Sequence, residues 1–113
     1  MIDELRKSIG KISSISFGFG GYQDVQFGVT ISVETESGSA TTGMWTWCGK
    51  PDEYTKWTVE QQSDYYNKTM RYIIKLMQDA KVQNINDLKG KPIEATWEGN
   101  WLKEIRILTE VIL

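Results

Sequence analysis

Ile15–Val33, ISFGFGGYQDVQFGVTISV, is the stretch that decides the fold. Apolar residues alternate with polar or glycine residues on both sides of its central glycines, and this period of two predicts two half-buried strands. If Phe19 faces Val25, a loop with an odd number of residues centred on Tyr22 places every apolar side chain on one face. We therefore expect a hairpin whose turn is rich in glycine and aromatic residues.

Downstream of this hairpin the pattern changes from strands to a helix. Ala40–Cys48 predicts a third strand, whose inward face stays ambiguous, although burial of Trp45 and Trp47 is favoured. Thr58 forms a capping box with the glutamine three residues later. Apolar residues at helical spacing then predict one long amphipathic helix that ends near Ala80.

The C-terminal part of the chain predicts a second hairpin. A three-residue loop of Gly99, Asn100 and Trp101 pairs Ile93 with Ile107 and places Glu94 opposite Arg106. Residues 2–8 are compatible with either a short helix or an arm. The whole chain, residues 1–113, is expected to form a single domain. We predict an α+β fold in which an antiparallel sheet packs against one long helix, in the order β-β-β-α-β-β.

Composition excludes several classes of function. A net charge of −2 and a pI near 5.1 argue against nucleic acid as the main partner. The chain has no histidine and a single cysteine, Cys48, so we expect no disulfide, no metal, no cofactor and no enzymatic activity. It has no export signal and no apolar run of membrane-spanning length, which predicts a cytoplasmic protein without a membrane partner.

Two places in the sequence are candidates for ligand binding. The turn combines glycines with Phe19, Tyr22 and Gln23, which offer stacking and hydrogen-bonding groups, and the alternative interpretation is a wide hairpin turn with bulge glycines. It is not a phosphate loop, because no helix follows it. Arg106 has the guanidinium that commonly holds phosphates or carboxylates, and a cross-strand pair with Glu94 explains it equally well.

Four segments together resemble a family of small phage proteins, the Thoeris anti-defence proteins that sequester cyclic ADP-ribose signals, and the similarity spans nearly the whole chain. The segments are Phe17-Gly18-Phe19-Gly20-Gly21-Tyr22-Gln23-Asp24, Trp45-Thr46-Trp47, Lys56-Trp57-Thr58, and Glu98-Gly99-Asn100 through Arg106-Ile107-Leu108-Thr109-Glu110.

This resemblance implies a protein without catalytic activity, which binds a cyclic nucleotide in the infected bacterial host and keeps it from its effector. It also implies a homo-oligomer, a dimer or a larger assembly. We expect the first turn and the last hairpin to form the pocket where they approach a subunit boundary. Phe19 or Trp101 would stack on a base, Asn100 would bind the edge of the base and Arg106 would hold the diphosphate. The alternative is a phage protein that inhibits a host defence enzyme by direct binding through its Trp-rich surface.

Overall fold

A computed structural model describes residues 5–20, 26–47 and 58–111 of the chain. Five antiparallel strands form one sheet, in the order β3 (Gly38–Trp47), β2 (Gln26–Thr35), β1 (Leu5–Gly20), β4 (Pro92–Glu98) and β5 (Trp101–Ile107). Short 3-10 turns follow the helix and the last strand. The elements are β1 (Leu5–Gly20), β2 (Gln26–Thr35), β3 (Gly38–Trp47), α1 (Val59–Ala80), a 3-10 turn (Ile85–Leu88), β4 (Pro92–Glu98), β5 (Trp101–Ile107) and a second 3-10 turn (Thr109–Val111). The predicted α+β class and element order are confirmed.

The long central strand β1 organises the sheet. Its first half, from Leu5 to Lys11, pairs with β4, and its second half, from Gly10 to Gly20, pairs with β2. A β-bulge at Ser13 lies where the pairing changes partner. The sheet curls so that the edge strands β3 and β5 come into contact, and α1 contacts both of them. The start of β1 is therefore a strand, whereas the sequence left residues 2–8 open between a helix and an arm.

The register of the first hairpin differs from the prediction by two residues. Phe19 lies opposite Phe27 rather than opposite Val25, which is outside the described residues. Because a shift of two preserves the alternation, the same apolar side chains still share one face. In this register the Phe27 ring makes a T-shaped contact with each of the Phe17 and Phe19 rings, with each pair of ring centroids 5.1 Å apart. Such edge-to-face pairs favour the observed register.

The second hairpin confirms the predicted strand pairing but not the predicted loop. Ile93 faces Ile107 and Glu94 faces Arg106, as expected. The turn itself has two residues, because Trp101 already pairs in β5 with the last residue of β4. Lys103 is the extra residue and forms a bulge within the strand instead of lengthening the loop. Gly99 adopts a φ of 61°, which a tight two-residue turn requires and glycine tolerates.

Helix α1 packs on the concave face of the sheet. Its capping box is present: Thr58 Oγ1 accepts from the Gln61 backbone N–H at 3.1 Å, and the Gln61 side chain accepts from the Thr58 backbone N–H at 2.9 Å.

At the start of β1, buried Ser8 accepts a 2.8 Å hydrogen bond from Trp97 Nε1. The buried core cluster comprises Ile12, Val29, Ile31, Val33, Ile73, Leu76, Ala80, Leu88, Ile93, Ala95, Trp97 and Ile107.

Trp45 lies on the convex face of the sheet and not in the core. Its side chain is 39% exposed, and its Nε1 donates to Thr30 Oγ1 at 3.3 Å. The indole lies over Gly43, where an added Cβ would be 3.0 Å from the ring. The expected burial of Trp45 is therefore wrong, because β3 directs Met44 and the buried Thr46 inward instead. The side chain of Trp47 lies outside the described residues.

Candidate functional site

A cavity lies between α1 and the edge strand β5, and we call it the seam cavity. Its volume is about 760 Å³, within the range of small-molecule sites. The cavity lies where the curled sheet brings the edge strands β3 and β5 into contact without pairing them, and residues of both strands and of α1 line it. Its floor consists of the buried or half-buried side chains of Met44, Tyr72, Leu76, Ile105 and Ile107.

The floor of the seam cavity provides an apolar surface with one hydroxyl group. Burial raises the pKa of Tyr72, so its phenol remains protonated at neutral pH and can donate a hydrogen bond. Leu76 and Ile107 are almost completely buried and form a fixed apolar part of this floor. This combination suits a flat organic group that needs both apolar contact and one hydrogen bond.

The rim of the seam cavity is predominantly basic. Lys68, Arg71 and Lys75 reach it from α1, and Arg106 reaches it from β5. Lys75 forms a 2.9 Å ion pair with Asp79, and the Lys68 ammonium lies 5.2 Å from the centre of the Tyr65 ring. Within the described part of the chain, Arg71 has no carboxylate within 4.0 Å. Lys68 and Arg71 are thus the rim cations without a carboxylate within 4.0 Å among the described residues, and they favour an anionic ligand.

Arg106 already holds a carboxylate in the free chain. Its two terminal nitrogens donate to the Glu110 carboxylate at 3.1 and 3.3 Å, and its Nε lies 3.5 Å from Glu94. The hydrogen bonds between Arg106 and Glu110 raise the pKa of the guanidinium and lower the pKa of the carboxyl. The sequence-predicted pair with Glu94 is confirmed. Glu110 occupies the fork of the guanidinium, the position that a phosphate would take.

A second, smaller cavity lies on the other side of α1, and we call it the aromatic cleft. Phe17, Phe19 and Phe27 form one wall, and Tyr66 and Met70 of α1 form the other, around about 360 Å³. The Phe19 side chain is 69% exposed. The cleft is almost entirely apolar, so it offers stacking surface but few groups that would orient a charged ligand.

Of the six sequence-predicted site residues, the four that the structure describes do not form one site within a single chain. Phe19 lies in the aromatic cleft, and Arg106 lies at the rim of the seam cavity. Trp101, which is 81% exposed, and Asn100 lie in the last hairpin, beside the first residues of β1. Tyr22 and Gln23 are outside the described residues. Phe19 lies near one end of β1 and the last hairpin lies beside the other end, and a straight strand of its length spans about 50 Å.

Sequence reasoning missed the three cations that α1 contributes to the seam cavity. Lys68, Arg71 and Lys75 are three and four residues apart, so they lie along one side of the helix. That spacing is visible in the sequence, but a solvent-exposed helix face shows the same pattern. Only the contact of α1 with β5 shows that these side chains face Arg106 across a cavity.

In the described ranges, no group of three His, Cys, Asp or Glu side chains converges as a metal site would require. None of the helices in the same ranges has both the length and the apolar character needed to cross a membrane. Comparisons with protein-family models, with curated proteins and with solved structures gave no match.

Proposed function

We propose that this protein binds a nucleotide in the seam cavity and sequesters it without cleaving it. In keeping with the sequence resemblance, the proposed ligand is a cyclic ADP-ribose type of immune signal, and the proposed role is that of a phage anti-defence protein in the host cytoplasm. The observation that carries the proposal is a cavity of about 760 Å³ that combines an apolar floor with a basic rim. A nucleotide needs both, because its base is flat and its phosphates are anionic.

The residues of the seam cavity have separate roles in this proposal. Leu76 and Ile105 would contact the base, and the Tyr72 hydroxyl would donate a hydrogen bond to it. Lys68 and Arg106 would bind the phosphates from opposite sides of the rim. Arg106 would release the exposed carboxylate of Glu110 and bind a phosphate in its place. A carboxylate and a phosphate each present two oxygens that can accept the two parallel N–H donors of the guanidinium.

Equilibrium binding with cyclic ADP-ribose isomers tests the proposal directly. The purified protein is incubated with each isomer, separated from free ligand and heated to release what it retained. We expect intact nucleotide in the released fraction, since sequestration leaves the ligand unchanged. If no isomer is retained at micromolar concentrations, the proposal is wrong, and recovery of a cleaved product would indicate an enzyme instead.

Matched variants on β5 test whether the ligand lies in the seam cavity. Arg106→Ala should weaken nucleotide binding about tenfold or more, because a hydrogen bond to a charged group contributes about 1.5–3 kcal/mol. Lys103→Ala on the same strand removes an equally exposed cation outside the cavity and should leave the affinity unchanged. Equal losses in the two variants would indicate general electrostatic attraction and no site at Arg106.

Direct inhibition of a host defence enzyme is the second candidate function. It is favoured by the exposed aromatic rings on the convex face, Trp45 and Trp101, since exposed Trp side chains are enriched at protein interfaces. Trp101→Ala should then abolish recovery of a host protein in a pull-down from lysate. A pull-down that retrieves no host protein with the unmodified chain would count against this candidate.

A further inference from the structure

Asp79 lies in the last turn of helix α1, at the rim of the seam cavity, where helix stability does not account for it. A carboxylate near the C-terminal end of a helix is disfavoured, because the last carbonyl groups carry a partial negative charge. Its partner Lys75 precedes it by four residues, and a lysine before its acid is the less favourable order for such a pair. Asp79 therefore departs from two local rules, which is typical of functional positions.

The ion pair between Lys75 and Asp79 leaves hydrogen-bonding groups available to a ligand. Lys75 Nζ contacts Asp79 Oδ2 at 2.9 Å, and the Asp79 side chain is 28% exposed. Within the described ranges, no group donates a hydrogen bond to the other carboxylate oxygen, Oδ1. The ammonium group has three N–H donors and uses one of them on Asp79. The pair thus offers one acceptor and further donors side by side at the cavity rim.

The residues that α1 contributes to the seam cavity follow a fixed order along one side of the helix. Lys68 and Arg71, the rim cations without a carboxylate partner among the described residues, lie toward its N-terminal end. Tyr72 and Leu76 follow in the floor, and Asp79 lies at the other end. With a rise of about 1.5 Å per residue, Arg71 and Asp79 are about 12 Å apart along the axis. A nucleotide has the same order of groups, because anionic phosphates lie at one end and a base edge with donors and acceptors lies at the other.

We propose that Lys75 and Asp79 bind the edge of the nucleobase, and that the phosphates lie at Lys68 and Arg71. This inference rests on the proposed function and adds the orientation of the nucleotide and the residues that recognise its base. On an adenine, the exocyclic amino group donates to Asp79 Oδ1, and a neighbouring ring nitrogen accepts from Lys75. The reverse orientation is disfavoured, because it places a phosphate against the Asp79 carboxylate.

Two nucleotides that differ in a single amino group test the base contact. The probes are ADP and purine riboside 5′-diphosphate, which lacks the amino group, and calorimetry up to millimolar concentration measures their affinities. The unmodified chain should bind ADP at least about tenfold more tightly, since a hydrogen bond to a charged group is among the strong ones. Asp79→Ala should bind both probes equally. Glu104→Ala removes the other rim carboxylate, which is exposed, and should keep the preference for ADP.

Inorganic pyrophosphate tests the orientation, because it has phosphates and no base. Lys68→Ala should weaken the binding of ADP and of pyrophosphate alike. Asp79→Ala should weaken the binding of ADP at least about tenfold and leave pyrophosphate binding unchanged or tighter, since the loss of the carboxylate frees Lys75. A general electrostatic effect cannot change the two affinities in opposite directions. Equal losses of ADP and pyrophosphate in Asp79→Ala would overturn the orientation.

Failure of this inference can be distinguished from failure of the proposed function. If a cyclic ADP-ribose isomer is retained but the unmodified chain binds ADP and its analogue equally, or binds neither, the role of Lys75 and Asp79 is wrong and sequestration stands. If neither ADP nor any cyclic isomer binds, both proposals are wrong. Thermal unfolding gives a separate readout: Asp79→Ala should keep or raise the midpoint, because it removes an acid from the helix C-terminus. A clear fall in the midpoint would indicate a structural role instead.

Discussion

The buried hydrogen bond between Ser8 and Trp97 should strengthen the attachment of the first half of β1 to β4, beyond the backbone pairing of the two strands. Trp97 Nε1 donates to Ser8 Oγ at 2.8 Å, and the two residues are 4% and 6% exposed. Ser8→Ala removes the acceptor and leaves the indole N–H buried without a partner. A buried unsatisfied donor costs about 1–3 kcal/mol, so we expect the free energy of unfolding to fall by about 2 kcal/mol.

Urea unfolding followed by tryptophan fluorescence measures this change, with Ser16→Ala as the control. Ser16 lies on the same strand and is exposed, so its substitution should change stability by less than about 0.5 kcal/mol. A double-mutant cycle with Trp97→Phe separates the free energy of the hydrogen bond from that of the packing of the ring. If Ser8→Ala is as stable as Ser16→Ala, the hydrogen bond does not hold β1 to β4, and the reasoning is refuted.

Three further predictions concern the helix ends and the Arg106 pair. Thr58→Ala should lower stability by about 1 kcal/mol in chemical unfolding, because it removes one half of the capping box formed with Gln61; no change would contradict the cap. Lys81→Gly should raise the thermal midpoint, since Lys81 has a φ of 57° and a left-handed conformation costs a non-glycine residue about 1–2 kcal/mol. The lowered pKa of Glu110 means that its contribution to stability is present above the unfolded pKa of a glutamate, about 4.3, and is lost as pH falls through the lower folded pKa. An NMR titration of the Glu110 carboxyl should therefore have its midpoint below that of the same group in Arg106→Ala, and equal midpoints would contradict the pair.

The sequence predicted the elements of this fold better than their exact register. Hydrophobic alternation and the Thr58 capping box depend on neighbours along the chain, and both predictions are confirmed. The register of the first hairpin depends on which aromatic rings come into contact. Phe19 pairs with Phe27, whereas the sequence pattern predicted Val25 as its partner. Because Lys103 forms a bulge in β5, Trp101 belongs to the strand and the loop has two residues instead of three. The local sequence pattern does not distinguish a three-residue loop from a two-residue loop followed by a bulge.

The candidate site was harder to predict, because it depends on how distant elements meet. Arg106 was a candidate from its residue type, and its pair with Glu94 followed from the register of the second hairpin. The sequence did not distinguish Lys68, Arg71 and Lys75 from other exposed helix residues, since the meeting of α1, β3 and β5 arises from the curl of the whole sheet. Cross-strand patterns specify neighbouring strands and do not specify how far a sheet curls.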